Sequence, residues 1–150
     1  MIEPVSLFHL AAIDEGDARA ALCTAENQVA AIDGTQLEAQ FRCDEFFVII
    51  TTAGDPWEET LHIHLLDASP AVIDEITLGQ IYTPASLRSF RPCGGSAFEF
   101  SFFADENWRL EILRKPRVVW PWKVALAVRY PSVLRRHHLI LSRANPIVPE

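Results

Sequence analysis

The feature that most limits what this chain can become is its repeated period-two patterning of large apolar side chains. Phe98, Phe100 and Phe102 alternate with Ala97, Glu99 and Ser101, and Trp108, Leu110 and Ile112 alternate with Arg109 and Glu111. Successive side chains on a strand point to opposite faces, so each triplet predicts one buried strand face. A two-residue turn between them would set those faces against each other. A three-residue loop, Asp105-Glu106-Asn107, restores agreement by pairing Phe102 with Leu110 and Phe100 with Ile112, and Asn107 then takes the left-handed conformation.

The longest alternation covers residues 118–130, where Val118, Trp120, Trp122, Val124, Leu126, Val128 and Tyr130 occupy every even position. The pattern predicts one strand with its aromatic face in the core, because large aromatics are usually buried. Two details strain that expectation. At about 3.3 Å per residue the strand would exceed 40 Å, and Pro121 belongs at an edge, a bulge or a break.

Further strands are expected over 36–43, 46–52, 60–66, 97–104 and 108–114 from their β-branched and aromatic content. Phe46, Phe47, Val48, Ile49 and Ile50 are apolar on both faces, as a central strand covered on each side would be. Asp55-Pro56 suits the turn of a hairpin joining 46–52 to 60–66.

Two helices are expected beside the sheet. Asp17 can cap a segment in which Leu22, Ala25, Val29 and Ile32 follow helical spacing up to Gly34. Ser69-Pro70, then Val72, Ile73 and Ile76, then Gly79, gives a shorter one. Residues 133–142 fit either state and lean to helix behind a Ser132 cap. The expected class is therefore α+β: a mostly antiparallel sheet of five to seven strands with one or two helices packed on a face. The whole chain, residues 1–150, reads as a single globular domain with a loosely ordered tail at 144–150. The longest irregular stretch is 83–96, with Pro84, Pro92, Gly94 and Gly95.

Charge is polarised along the chain. Residues 1–111 hold five Lys/Arg against nineteen Asp/Glu, a formal −14, and residues 112–150 hold eight against one, a formal +7. The basic part includes the run 114–138, which has no acid at all. No apolar run approaches the roughly 18–20 residues of a spanning helix. Cys23, Cys43 and Cys93 are widely spaced and form no C-x-x-C pair, so neither a disulfide framework nor a structural zinc site is suggested and a cytoplasmic setting fits best.

Candidate chemistry is sparse. His62 and His64 lie two apart on an expected strand, which places both imidazoles on one face as half of a divalent-metal site. His137, His138, Glu58, Glu59 or Asp67 could complete it. Cys93 and Ser96, beside Gly94-Gly95, sit in a stretch that matches neither a G-x-S-x-G nor a cysteine-protease pattern and reads as a flexible turn. Phosphate-loop, dinucleotide and H-E-x-x-H patterns are absent from the sequence.

Three functional classes follow. The first is a noncatalytic protein-binding module, of the inhibitor or immunity type, whose acidic surface at Asp44, Glu45, Glu58, Glu59, Asp74 and Glu75 docks a basic protein. The second is a small metal-dependent enzyme or ligand-binding sheet using His62 and His64. The third is nucleic-acid or membrane-surface binding through the basic segment 114–143, which the −14 balance of the rest opposes. The first is preferred. It carries no cofactor and contacts neither nucleic acid nor membrane, while a homodimer through an exposed sheet edge is compatible with it.

Overall fold

The computed structural model describes residues 2–13, 18–54, 59–79, 87–103, 106–120, 122, 124–131 and 136–144. These form strands β1 (Ile2–Pro4), β2 (His9–Ala12), β3 (Arg19–Cys23), β4 (Gln28–Asp33), β5 (Gln36–Cys43), β6 (Phe46–Thr52) and β7 (Thr60–Leu66). They continue with β8 (Val72–Gly79), β9 (Arg88–Pro92), β10 (Ala97–Ser101), β11 (Asn107–Val118), β12 (Val128–Arg129) and β13 (Arg136–Arg143). The strands make a six-stranded sheet in the order β1-β5-β6-β7-β8-β12, a four-stranded sheet β13-β11-β10-β9 and a three-stranded sheet β2-β3-β4. All pairings are antiparallel.

The six-stranded sheet is the middle layer, and β6 shows why. Its Val48 and Ile50 join Ile63, Leu65, Ile76, Phe98, Phe100, Trp108, Leu110 and Leu139 in one core, shared with the four-stranded sheet. Its Ile49 instead packs with Leu66, Phe8, Leu22 and Ile32, in a second core shared with the three-stranded sheet. A strand apolar on both faces is stable only with a layer on each side.

The α+β class is corrected by this structure, because the packed helices are not seen among the described residues. The segment after Asp17 is the hairpin β3–β4, turned at Thr24 and Asn27, where the Asn27 amide donates to Thr24 Oγ1 at 3.3 Å. Its register places Ala20 opposite Ile32 and Leu22 opposite Ala30. Leu22 and Ile32, which match helical spacing, also fall on one face of the hairpin, and the second core takes both. Packing outweighs the helix propensity of the alanines. The expected short helix after Pro70 is β8, in which Asp74, Ile76 and Leu78 are buried in alternation. Val72, Ile73, Ile76 and Thr77 are β-branched and suit a pleated surface better than a helix. The lean to helix over 133–142 is corrected in the same way from Arg136 onward, because β13 buries His137, Leu139 and Leu141 in alternation, while 133–135 lie outside the described residues.

The hairpin β10–β11 buries the faces read from sequence but in another register. Phe100 lies opposite Trp108 and Phe98 opposite Leu110. Phe102 and Phe103 are left to the loop, where the Glu106 amide donates to the Phe103 carbonyl at 2.9 Å. The left-handed residue is Phe103, with φ of 60°, and not Asn107, which begins β11. β6 and β7 pair as expected from Thr52–Leu61 to Phe47–Leu66, while the Asp55-Pro56 turn lies outside the described residues. Among the described residues no helix is long and apolar enough to cross a membrane.

Candidate functional site

The middle sheet brings His62 and His64 onto one face, with rings 6.3 Å apart and nearly parallel. In register, Thr51, His62, Thr77 and Arg129 form one row across four strands, and Ile49, His64 and Glu75 form the next. His64 is 1% exposed and both of its nitrogens are engaged. Nδ1 faces Glu75 Oε1 at 3.3 Å, and Nε2 lies 3.2 Å from both Thr51 Oγ1 and the Asp33 carbonyl. The Thr51 hydroxyl spends its own proton on that carbonyl at 2.7 Å, so His64 Nε2–H is the donor at this corner. The hydrogen bond to His64 holds the Glu75 carboxyl below the ordinary carboxylate range.

That arrangement makes His64 a strut tying β7 to the end of β4 and to Glu75 on β8. His62 keeps Nδ1 3.2 Å from Thr77 Oγ1, and burial, followed by the charge of His64, holds its pKa down to about 4. Among the described residues no group of three or more His, Cys, Asp and Glu side chains is placed to hold a metal ion.

The acidic clusters are dispersed. Asp44 and Glu45 are exposed at the β5–β6 turn, where Asp44 has φ of 54°. Glu59 is buried, and its Oε1 accepts the amides of Ala53, Gly54 and Thr60 at 2.9, 3.1 and 3.0 Å, closing the approach to β7. Asp74 is buried between β8 and β13. Its Oδ1 meets His137 Nδ1 at 2.9 Å, and its Oδ2 accepts the amides of His138 and Leu139 at 2.8 and 2.9 Å. Tyr130 stacks on His137 with ring centres 3.9 Å apart and donates its hydroxyl to the Leu139 carbonyl at 2.8 Å. Between them, Asp74 and Tyr130 satisfy the backbone of an edge strand that would otherwise invite pairing. Glu75 faces His64 on the opposite side of β8, and Glu58 lies outside the described residues. Of the five acids that are described, then, the structure brings only Asp44 and Glu45 together at the surface.

What sequence reasoning missed is the run after β11. Its register against β13 jumps from Ile112–Leu139 to Arg117–His137, so residues 113–116 bulge opposite His138 alone. His138 fills the bulge by donating from Nδ1 to the Leu113 carbonyl at 2.7 Å, and Pro116, which has no amide hydrogen to leave unpaired, sits within it. Beyond it the strand ends at Val118 and the apolar side chains turn outward. Val118 is 36% exposed, Trp120 40%, Trp122 75% and Leu126 102%. The expected aromatic core face is thereby corrected: only Ala127 and Val128 are fully buried again, with Val124 and Tyr130 packed at the margin. The two indoles stack on each other at 5.1 Å and 15°. Arg114, Lys115 and Arg117, earlier in the same run, are exposed. The warning signs in the sequence were Pro116, Pro121 and the excessive strand length.

Next to this ribbon runs an open groove of about 450 Å³, lined by Arg117, Val118, Trp120, Tyr130, Ile140 and Ser142 among others. Comparison with protein-family models, with characterised proteins and with solved structures returned no match. The fold and surface thus define a three-layered antiparallel β protein carrying an exposed aromatic and cationic ribbon.

Proposed function

We propose that this protein acts by binding, and that it meets an acidic protein partner through the ribbon at residues 114–126. The observation that carries the reading is the outward display of Trp120, Trp122 and Leu126 in one run of chain with three exposed cations and without a single acid. Contiguous exposed apolar surface marks interaction sites, and tryptophan flanked by arginine is the usual make-up of an interface hot spot. The stacked indoles are ordered before any partner arrives, which lowers the entropy lost on docking. An acidic protein segment touches only the ribbon. An anionic bilayer or a nucleic acid would extend beyond it, toward a chain whose net formal charge is −7.

A basic partner docking on the exposed Asp44-Glu45 turn is the second reading, favoured by the −14 balance of residues 1–111. One experiment separates the two. The full chain, its Trp120→Ala/Trp122→Ala variant and its Asp44→Asn/Glu45→Gln variant are immobilised and exposed to the same native lysate. The proposal expects a bound protein that the tryptophan variant loses and the acidic-turn variant keeps, since hot-spot truncation costs about 2 kcal/mol or more. Loss only with the acidic-turn variant favours the second reading. Anionic vesicles or single-stranded nucleic acid retained through the tryptophans would replace a protein partner with those.

A further inference from the structure

We infer that the groove beneath Trp120 is a binding site for a small amphipathic monocarboxylate, a flat apolar body bearing one carboxylate. At about 450 Å³ it falls in the size range of small-molecule sites and exceeds what one docked side chain would fill. Val118, Val124, Ile140 and Leu141 supply apolar wall, and Trp120 and Tyr130 supply flat faces. Tyr130 cannot turn its hydroxyl into the groove without giving up the Leu139 carbonyl, so it offers its ring.

The polar contribution comes from Arg117 on β11 and Ser142 on β13, which both line the groove although their register partners are His137 and Arg109. Arg117 forms no ion pair with a described residue, and among the described residues it is the sole charged side chain lining the groove. One guanidinium presents a planar fork that matches a single carboxylate in two parallel hydrogen bonds. A phosphate dianion would call for a second cation, and none lines the groove among the described residues.

The site adds a ligand to the proposed partner surface and shares Arg117, Val118, Trp120 and Val124 with its ribbon. Trp122 and Leu126 do not line it.

The test uses 2-naphthoate and its uncharged amide, 2-naphthamide, as probes, titrated into the labelled full chain and followed by NMR. Naphthoate is expected to shift the Trp120 indole and the Val124 and Ile140 methyl signals, and to bind about tenfold more tightly than the amide. Arg117→Gln, an exposed change, should reduce naphthoate to the affinity of the amide and leave the amide unaffected. Trp120→Ala should weaken both. Leu126→Ala, which removes exposed apolar surface outside the groove lining, should leave naphthoate binding intact while weakening partner capture, so the failure of this site and the failure of the docking ribbon are told apart. Equal affinity for acid and amide in the wild type, indifference to Arg117→Gln, shifts confined to another face, or no binding of either probe would overturn the inference.

Discussion

Replacing Asp74 by alanine removes the carboxylate that ties the middle sheet to the edge strand of the four-stranded one. Its side chain is 3% exposed and accepts from His137 Nδ1 and from the amides of His138 and Leu139, all within 2.9 Å. Alanine leaves these three donors facing a void. Each buried donor without an acceptor costs about 1–3 kcal/mol, and because water entering the void recovers part of this, the net loss is about 3–5 kcal/mol. Asparagine has the same shape. Its carbonyl oxygen can keep the two backbone amides, while its NH₂ donates to a His137 that carries its proton on Nε2 instead, so the cost falls to about 1–2 kcal/mol. Urea unfolding at neutral pH, with m values compared to exclude a change in mechanism, measures both variants. An alanine variant within about 1 kcal/mol of wild type, or asparagine as damaging as alanine, would refute the claim that this carboxylate holds the seam.

Other outcomes follow from burial and charge. Phe100, 1% exposed in the larger core, should cost about 3–5 kcal/mol when cut to alanine, read from the urea midpoint. Trp122→Ala, at a position 75% exposed, should change the same midpoint by less than about 0.5 kcal/mol. The His62 imidazole ordinarily titrates at 6.5 and is held to about 4 in the fold, so between those values the unfolded chain binds a proton that the folded chain refuses. Its contribution to stability is therefore complete above pH 6.5 and is lost as the pH falls toward 4, and NMR titration of the ring should locate the low value directly.

Strands were legible wherever one face was buried and the alternation was unbroken, as at Phe98 and Phe100 or Trp108 and Leu110. The hairpin's register was not, because sliding one strand by an even number of residues, here the four from Ile112 to Trp108 opposite Phe100, keeps every side chain on its proper face and only the loop length decides. Leu22 and Ile32 misled for a different reason: their ten-residue separation satisfies a helix and a tight hairpin equally. What selects the hairpin is Ile49 and Leu66 on a neighbouring layer. The His62–His64 geometry could be read from strand period, but the partners that consume His64, Asp33 and Thr51, come from β4 and β6. Charge counts placed Asp74 and Glu59 among surface acids, although each is spent inward on backbone amides. The ribbon was hidden by its own regularity, since alternation alone does not show whether a facing layer exists.

Hydroxyl-radical footprinting of the full chain, alone and with the protein it captures, tests the docking surface most directly. Trp120, Trp122 and Leu126 should oxidise rapidly in the free chain while Trp108, 0% exposed, reacts slowly, and the first three should become protected in the complex. Ribbon tryptophans as slow as Trp108 in the free chain, or unchanged by the partner, would contradict the account.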